Sequence, residues 1–293
     1  MREIANKHTD WLTASTALPT STAPPAPTAS AVLILKTRPN MLATKILALC
    51  ALSALCAVST STAASAVNAQ TNAQTTDLTL SADGWQEVRL GDDIKPNTFS
   101  FEAVNDNSAE SQAVLRIESN ASMSMMAIPV DVDLTQTPVL CWRWRVNRVL
   151  DKADMSERFG DDYAARLYVS LAIPESEQSL GLRLQLGLAR SIWGDQVPDA
   201  AINYVWDNRQ PVGTAMPNAY TDRVTMIVAQ SGASKVGQWV QQAQNIAQDI
   251  EQQFTPAANV VQIALAADTD NTGETVTAKF ADIRFVAKQA DCL

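Results

Sequence analysis

The stretch "DTDNTGE", Asp268 to Glu274, follows the apolar run "VVQIALAA" and sets three acids, one Asn and two Thr in seven residues. Four chemistries use such a set. Asp268, Asp270 and Thr272 fit the D-x-D-x-T of aspartate-nucleophile phosphatases, where Asp268 would attack phosphorus and Asp270 would move the proton beside Mg²⁺. That motif opens a large α/β domain, whereas only about twenty residues follow Thr272. An EF-hand would place Asp268, Asp270, Thr272 and Gly273 well, but its twelfth position is Lys279 where a bidentate Glu is required. That excludes it. A different Ca²⁺ site would use Asp268, Asp270 and Asn271 with backbone carbonyls as hard oxygen ligands. The simplest alternative is a strand-connecting turn, in which Asp, Asn and Thr bond local backbone and Gly273 tolerates positive φ. Turn and calcium loop both stay open.

His8 is the only histidine and lies in a segment read below as leader. The rest of the chain therefore has no Ser-His-Asp or Cys-His machinery and no His-bearing zinc site. Neither a P-loop nor a dinucleotide glycine pattern occurs. What remains is carboxylate chemistry. "GDDY" offers Asp161 and Asp162, and "NIAQDIEQQF" offers Asn245 and Asp249 on one expected helix face. Two carboxylates about 5–10 Å apart can hydrolyse a glycoside, so an enzyme would draw on Asp161, Asp162 and Asp249. Solvated acids are the plainer reading.

Trp142, Trp144, Trp206 and Trp239 are four of the six tryptophans beyond the leader. An exposed indole beside Arg and Asp hydrogen-bonding groups grips a sugar ring. The candidate ligand set is Arg143, Arg145, Asp161, Asp162, Tyr168, Trp206, Asn245 and Asp249. The alternative puts Trp142 and Trp144 in the core and pairs Arg143 and Arg145 with Asp161, Asp162 or Asp249.

The leader is legible. Residues 1–40 include "STALPTSTAPPAPTASA", too poor in large apolar residues for a core. Residues 41–69 then give Lys45, a 13-residue apolar stretch Ile46–Val58, and small-residue sites ending at Ala66 and Ala69. That is a signal peptide, too short to span a bilayer as an anchor. Translation is expected to start at Met41, the alternative being a genuine long leader. Leu49 before Cys50 and Leu55 before Cys56 do not suit lipoprotein export. Removing the five basic and two acidic residues of 1–69 from the chain's 22 and 31 leaves a net charge of −12. Nucleic acid and anionic membrane would be repelled. Cys141 and Cys292 remain, and in the periplasm or outside the cell they either pair or stay as separate thiols.

These groups need positioning elements. "TFSFEAV", "AVLRIES", "CWRWRV" and "YAARLYVSLA" alternate as strands, with Trp142, Trp144 and Val146 on one face and Cys141, Arg143 and Arg145 on the other. "SMSMMAIPVDV" reads as a strand that Pro129 confines to an edge or bend. "AINYVW", "DRVTMIVAQSG", "NVVQIALAAD" and "TVTAKFADIRFVA" are further strands. "SLGLRLQLGLARSIWG" fits either period, and its Leu/Arg/Gln composition favours a helix. Val236, Val240, Ala243, Ile246, Ile250 and Phe254 predict one helix across "KVGQWVQQAQNIAQDIEQQF". About ten strands and one or two helices, without β-α alternation, predict a mainly β fold: an antiparallel two-sheet sandwich over 83–288, after a flexible segment 70–82.

"CWRWRVNRVLDKADMSERFGDDYAARLYV", "AINYVWDN", "NIAQDIEQQF" and "AADTDNTGETVTAKFADIRF" together resemble the bacterial domain-of-unknown-function family 3047, over about residues 83–286. The resemblance implies an exported protein and supplies no catalytic residues. "AKFADIRFVA", with Phe280, Asp282, Ile283 and Phe285, is similar to the closing strand of galactose-binding-like jelly rolls. The functional expectation is a periplasmic or secreted module that binds a carbohydrate or another envelope ligand and needs no cofactor, unless the acidic loop holds Ca²⁺. A carboxylate-dependent glycan hydrolase and a non-catalytic structural protein are the alternatives.

Overall fold

The computed structural model describes residues 75–104, 112–193 and 197–292. The segments read as leader and signal peptide lie outside the described residues, all of which belong to the compact unit Val67–Leu293. In chain order the strands are β1 (Thr75–Asp77), β2 (Gln86–Val88), β3 (Thr98–Val104), β4 (Gln112–Asn120), β5 (Met123–Pro129), β6 (Val139–Val146), β7 (Tyr163–Ala172), β8 (Ala200–Asp207), β9 (Ala215–Pro217), β10 (Val224–Ser231), β11 (Val240–Asn245), β12 (Asn259–Asp268) and β13 (Thr275–Val286). Helix α1 (Leu180–Trp193) joins β7 to β8, and α2 (Ile246–Gln253) joins β11 to β12.

Two sheets face each other. One runs β11-β6-β13-β4-β3, with β1 also on β13; the other runs β2-β5-β12-β7-β8-β10-β9. From β4 to β7, and again from β11 to β13, the chain changes sheet at every step. This is the jelly-roll manner of closing a sandwich, and it places the inward side of each alternating strand in one shared core. Trp142 and Trp144 are wholly buried there. The Trp144 ring lies 5.4 Å from Trp142, 5.8 Å from Trp206 and 6.2 Å from Phe280. Neither Trp142 nor Trp144 is an exposed platform, and Trp206, 1% exposed, joins them.

Two expectations need correction. Residues 235–254 are not one helix. Val240–Asn245 pairs antiparallel with Val139–Trp144 and satisfies the edge of β6, which the helix would have left open. Helix begins only at Ile246, where the Asn245 side chain accepts from Gln248 N at 3.1 Å. The sandwich is also not purely antiparallel: β10 runs parallel to β8. The chain returns through β9 to the end where β8 began, and β9 pairs antiparallel with β10. Pro129 ends β5, beyond the reach of β2, which pairs only with Met125–Ala127.

The C-terminal tail is tied down. Cys141 on β6 and Cys292 in the last turn form a disulfide with Cα atoms 5.5 Å apart. Val139, Val286 and both cysteines make a small buried cluster on the outer face of the first sheet. Among the described residues no helix is long and apolar enough to cross a membrane.

Candidate functional site

The outward face of the second sheet is where polar chemistry concentrates. Pairing registers place Ala127, Ala264, Tyr168, Asn203 and Met226 in one transverse row across β5, β12, β7, β8 and β10. The next row holds Met125, Ala266, Arg166, Val205 and Val228. One half of this face is covered: Tyr163, Val205, Met226 and Val228 pack with Met155 into an apolar cluster. On the other half Tyr168 is half-buried beside the small Ala264 and Ala127, with Ser170 and Gln262 paired one row away.

Arg166 organises the site. It is 4% exposed and lies between two phenol rings, its guanidinium carbon 4.7 Å from the Tyr163 centroid and 5.0 Å from the Tyr168 centroid. Its Nη1 donates to Asp268. Its Nε and Nη2 donate to the Asn203 amide oxygen at 3.0 and 2.8 Å. Asp161 is the second counter-charge, its Oδ2 4.0 Å from Nη2. Burial works against this charge, but Tyr168, Asp161 and Asp268 beside it outweigh that effect and keep it firmly protonated.

The acids arrive from two places. Asp161 and Asp162 precede β7, and Asp268 and Asp270 close β12 and open the following turn. Asp161 accepts from the Tyr163 hydroxyl at 3.0 Å and from Asn218 Nδ2 at 2.8 Å. Burial raises its pKa, opposed by Arg166. Asp162 serves the acidic loop: it accepts from Asn271 N at 3.3 Å, Asn271 Nδ2 at 3.2 Å and Thr272 N at 2.7 Å. Asp268 is fully enclosed, and burial drives its pKa well up; Arg166 opposes this while Asp162, Asp270 and Asp161 add to it. The Tyr220 hydroxyl donates to Arg158 O at 2.6 Å, with Asn271 Oδ1 3.1 Å away, and burial beside these acids pushes its pKa up to about 12.

The loop itself is a turn between sheets, not a hairpin. Gly273 takes φ +70° and its N–H returns to Thr269 O at 3.0 Å. Glu274 holds the neighbouring turn by accepting from Asp151 N, Lys152 N and Arg148 Nη2 at 3.0–3.1 Å. Strands flank the loop, as the exclusion of an EF-hand requires.

Of the residues singled out in the sequence, the structure brings together Asp161, Asp162, Tyr168, Asp268, Asp270 and Asn271 on this side. The others lie elsewhere. Arg143 and Arg145 are on the outer face of the opposite sheet, where Arg143 Nε meets Asp282 at 2.6 Å, not Asp161, Asp162 or Asp249. Asp282 sits at φ +53° in a bulge of β13 that aims it at this partner. Asp249 accepts from the buried Tyr204 hydroxyl. Asn245 lines a shallow depression of about 460 Å³ beside α2, with Asp133, Thr135 and Glu251. Sequence reasoning missed Arg166 and Asn203 as site residues. The available signal was a lone cation in an otherwise apolar strand, flanked by Tyr163 and Tyr168.

No curated protein matches the chain. Among solved structures, the xyloglucanase domain of NopAA from Sinorhizobium fredii, in complex with cellobiose, aligns at 10% identity over 74% of this chain and 98% of its own, with a TM-score of 0.38. A family 30 carbohydrate-binding module of a cellulosomal cellulase of Clostridium thermocellum aligns at 9% identity over 74% and 91%, with a TM-score of 0.34. A xylan-binding module aligns at 13% identity over 74% and 98%, with a TM-score of 0.30. Residues 83–284 match the family model described as protein of unknown function (DUF3047), and the chain belongs to that family.

Proposed function

We propose that this domain is a non-catalytic module that binds a neutral glycan at Tyr168 on the second sheet's outward face. The observation that carries this reading is Tyr168. Tyr168 is partly exposed, its ring centroid lies 5.0 Å from the Arg166 guanidinium carbon, and its register neighbours are the small, buried Ala264 and Ala127. A held aromatic ring beside an amide group offers a sugar both an apolar face and hydrogen-bond partners; the partly exposed Gln262, paired with Ser170, supplies the latter. A net charge of −9, with four acids near Arg166, disfavours acidic polysaccharides. A disulfide and the signal-like segment 41–69 fit a periplasmic or secreted protein.

The test is affinity electrophoresis and calorimetry against soluble neutral β-linked and α-linked glycans, with Tyr168→Ala and, as control on the opposite sheet, Arg145→Ala. Losing the stacking ring is expected to cost about 2 kcal/mol, roughly thirtyfold in Kd, while Arg145→Ala binds as the unaltered protein. Equal binding by Tyr168→Ala, or no binding to any glycan, sinks the proposal.

A further inference from the structure

We propose that Asp162, Asp268 and Asp270 form a divalent-cation site, suited to Ca²⁺, that ties the start of β7 to the end of β12. The inference is independent of the glycan reading. One carboxylate oxygen from each of the three residues lies within 4.8 Å of the other two. Two oxygens sharing a Ca²⁺ at about 2.4 Å are at most about 4.8 Å apart, so the three are close enough for small side-chain rotations to bring them onto one ion.

Two buried oxygens supply a separate indication. Asp268 is 3% exposed; its Oδ2 bonds Arg166, yet its Oδ1 accepts no hydrogen bond. Thr272 Oγ1, on the same turn, is likewise enclosed and unpartnered. A carboxylate oxygen removed from water without a donor is costly, and a cation is the partner that satisfies it. The charge balance agrees. Asp161, Asp162, Asp268 and Asp270 surround the buried cation Arg166, and among the described residues the acids here are in excess, with Lys152 reaching only the backbone of Thr272. The donors are all oxygen, which selects a hard ion over zinc or copper.

The ligand set differs from the one suggested by the loop alone. Asn271 is turned to Asp162 and Tyr220, and Asp162, from far earlier in the chain, takes the third place. Asp162 keeps its hydrogen bonds from Asn271 and Thr272, because a carboxylate has further lone pairs to give a metal.

The experiment is thermal melting of the purified full chain after EDTA treatment, titrated with CaCl₂ against NaCl of matched ionic strength. Asp270→Asn is the diagnostic variant. The hydrogen bond that Asp270 accepts from Asn271 Nδ2 at 3.1 Å can be kept by an amide oxygen. The unaltered protein should show a saturable upward shift with Ca²⁺. Asp270→Asn should melt no lower than it in EDTA and need about tenfold or more Ca²⁺ for the same shift. Independently of the variant, Tb³⁺ should give tyrosine-sensitised luminescence, from Tyr163 or Tyr220, that Ca²⁺ displaces. A melting curve indifferent to Ca²⁺, a response equalled by NaCl, an unchanged response in Asp270→Asn, or Tb³⁺ emission that Ca²⁺ does not displace would overturn the site.

Discussion

Replacing Arg166 by Met keeps most of the side-chain volume and removes the buried positive charge that pairs with the enclosed acids. The side chains of Arg166 and Asp268 are 5% and 4% exposed, so their pairing is scarcely screened by solvent. The substitution leaves Asp268 and Asp161 without their cation and strips Asn203 of two donors. Breaking a buried pair from one side costs about 3–5 kcal/mol. The reverse change, Asp268→Asn, should cost less. It also removes a carboxylate from the repulsive group with Asp161, Asp162 and Asp270, and Arg166 retains Asp161 and Asn203. The double variant should cost no more than Arg166→Met alone, a coupling of about 2–3 kcal/mol. Urea unfolding in EDTA measures all four corners. With a slope of about 2.5 kcal/mol per molar urea, Arg166→Met should lower the midpoint by about 1.5 M. Additivity within about 0.5 kcal/mol, or Asp268→Asn proving the costlier change, would refute the reasoning that Arg166 is there to offset these acids.

The disulfide and Asp249 give two further tests. Cys141 and Cys292 close a sequence separation of 151 residues, for which chain entropy predicts about 5 kcal/mol. Cys292→Ala should therefore melt about 10–20 °C lower than the oxidised protein and match the reduced one; a change under a few degrees would show that the tail is held by packing alone. Burial raises the pKa of Asp249 above its usual 3.8, opposed by the Tyr204 hydrogen bond. The folded state then binds the proton more tightly than the unfolded one, so this group favours folding most below pH 3.8 and loses that contribution as pH rises through the folded value. Asp249→Asn keeps an acceptor for Tyr204 and should melt higher than the unaltered protein at pH 7, the gap closing towards pH 4; a constant gap would remove burial of the charge as its cause.

Much of the sandwich is written in local alternation. β6 announces itself because Trp142, Trp144 and Val146 all had to go one way, and the core took them. α1 was ambiguous in period and formed as a helix, with Leu186 buried and Leu180 and Leu184 exposed. The error at Val240–Asn245 has a definite source. Its Val and Ala spacing fits a helix, and nothing within those six residues records that β6 would otherwise present an open edge. Long-range pairing overrode local propensity, and Asn245, a good N-cap, marked where the helix actually starts.

The site was harder to see because its acids are useful only in combination. Asp161 and Asp162 sit in one loop, Asp268 at the end of β12 and Asp270 in the turn after it, and the antiparallel pairing of β7 with β12 brings Tyr163 opposite Asp268. Read separately, each acid looks like a solvated turn residue. Read with the register, a strand that carries Arg166 between two tyrosines must bury that cation, and a buried guanidinium must find acceptors on neighbouring strands. Asp268 on β12 and Asn203 on β8 are those acceptors. Tyr168 then depends on the same arrangement, since the charge that Asp268 neutralises is the one on which its ring rests.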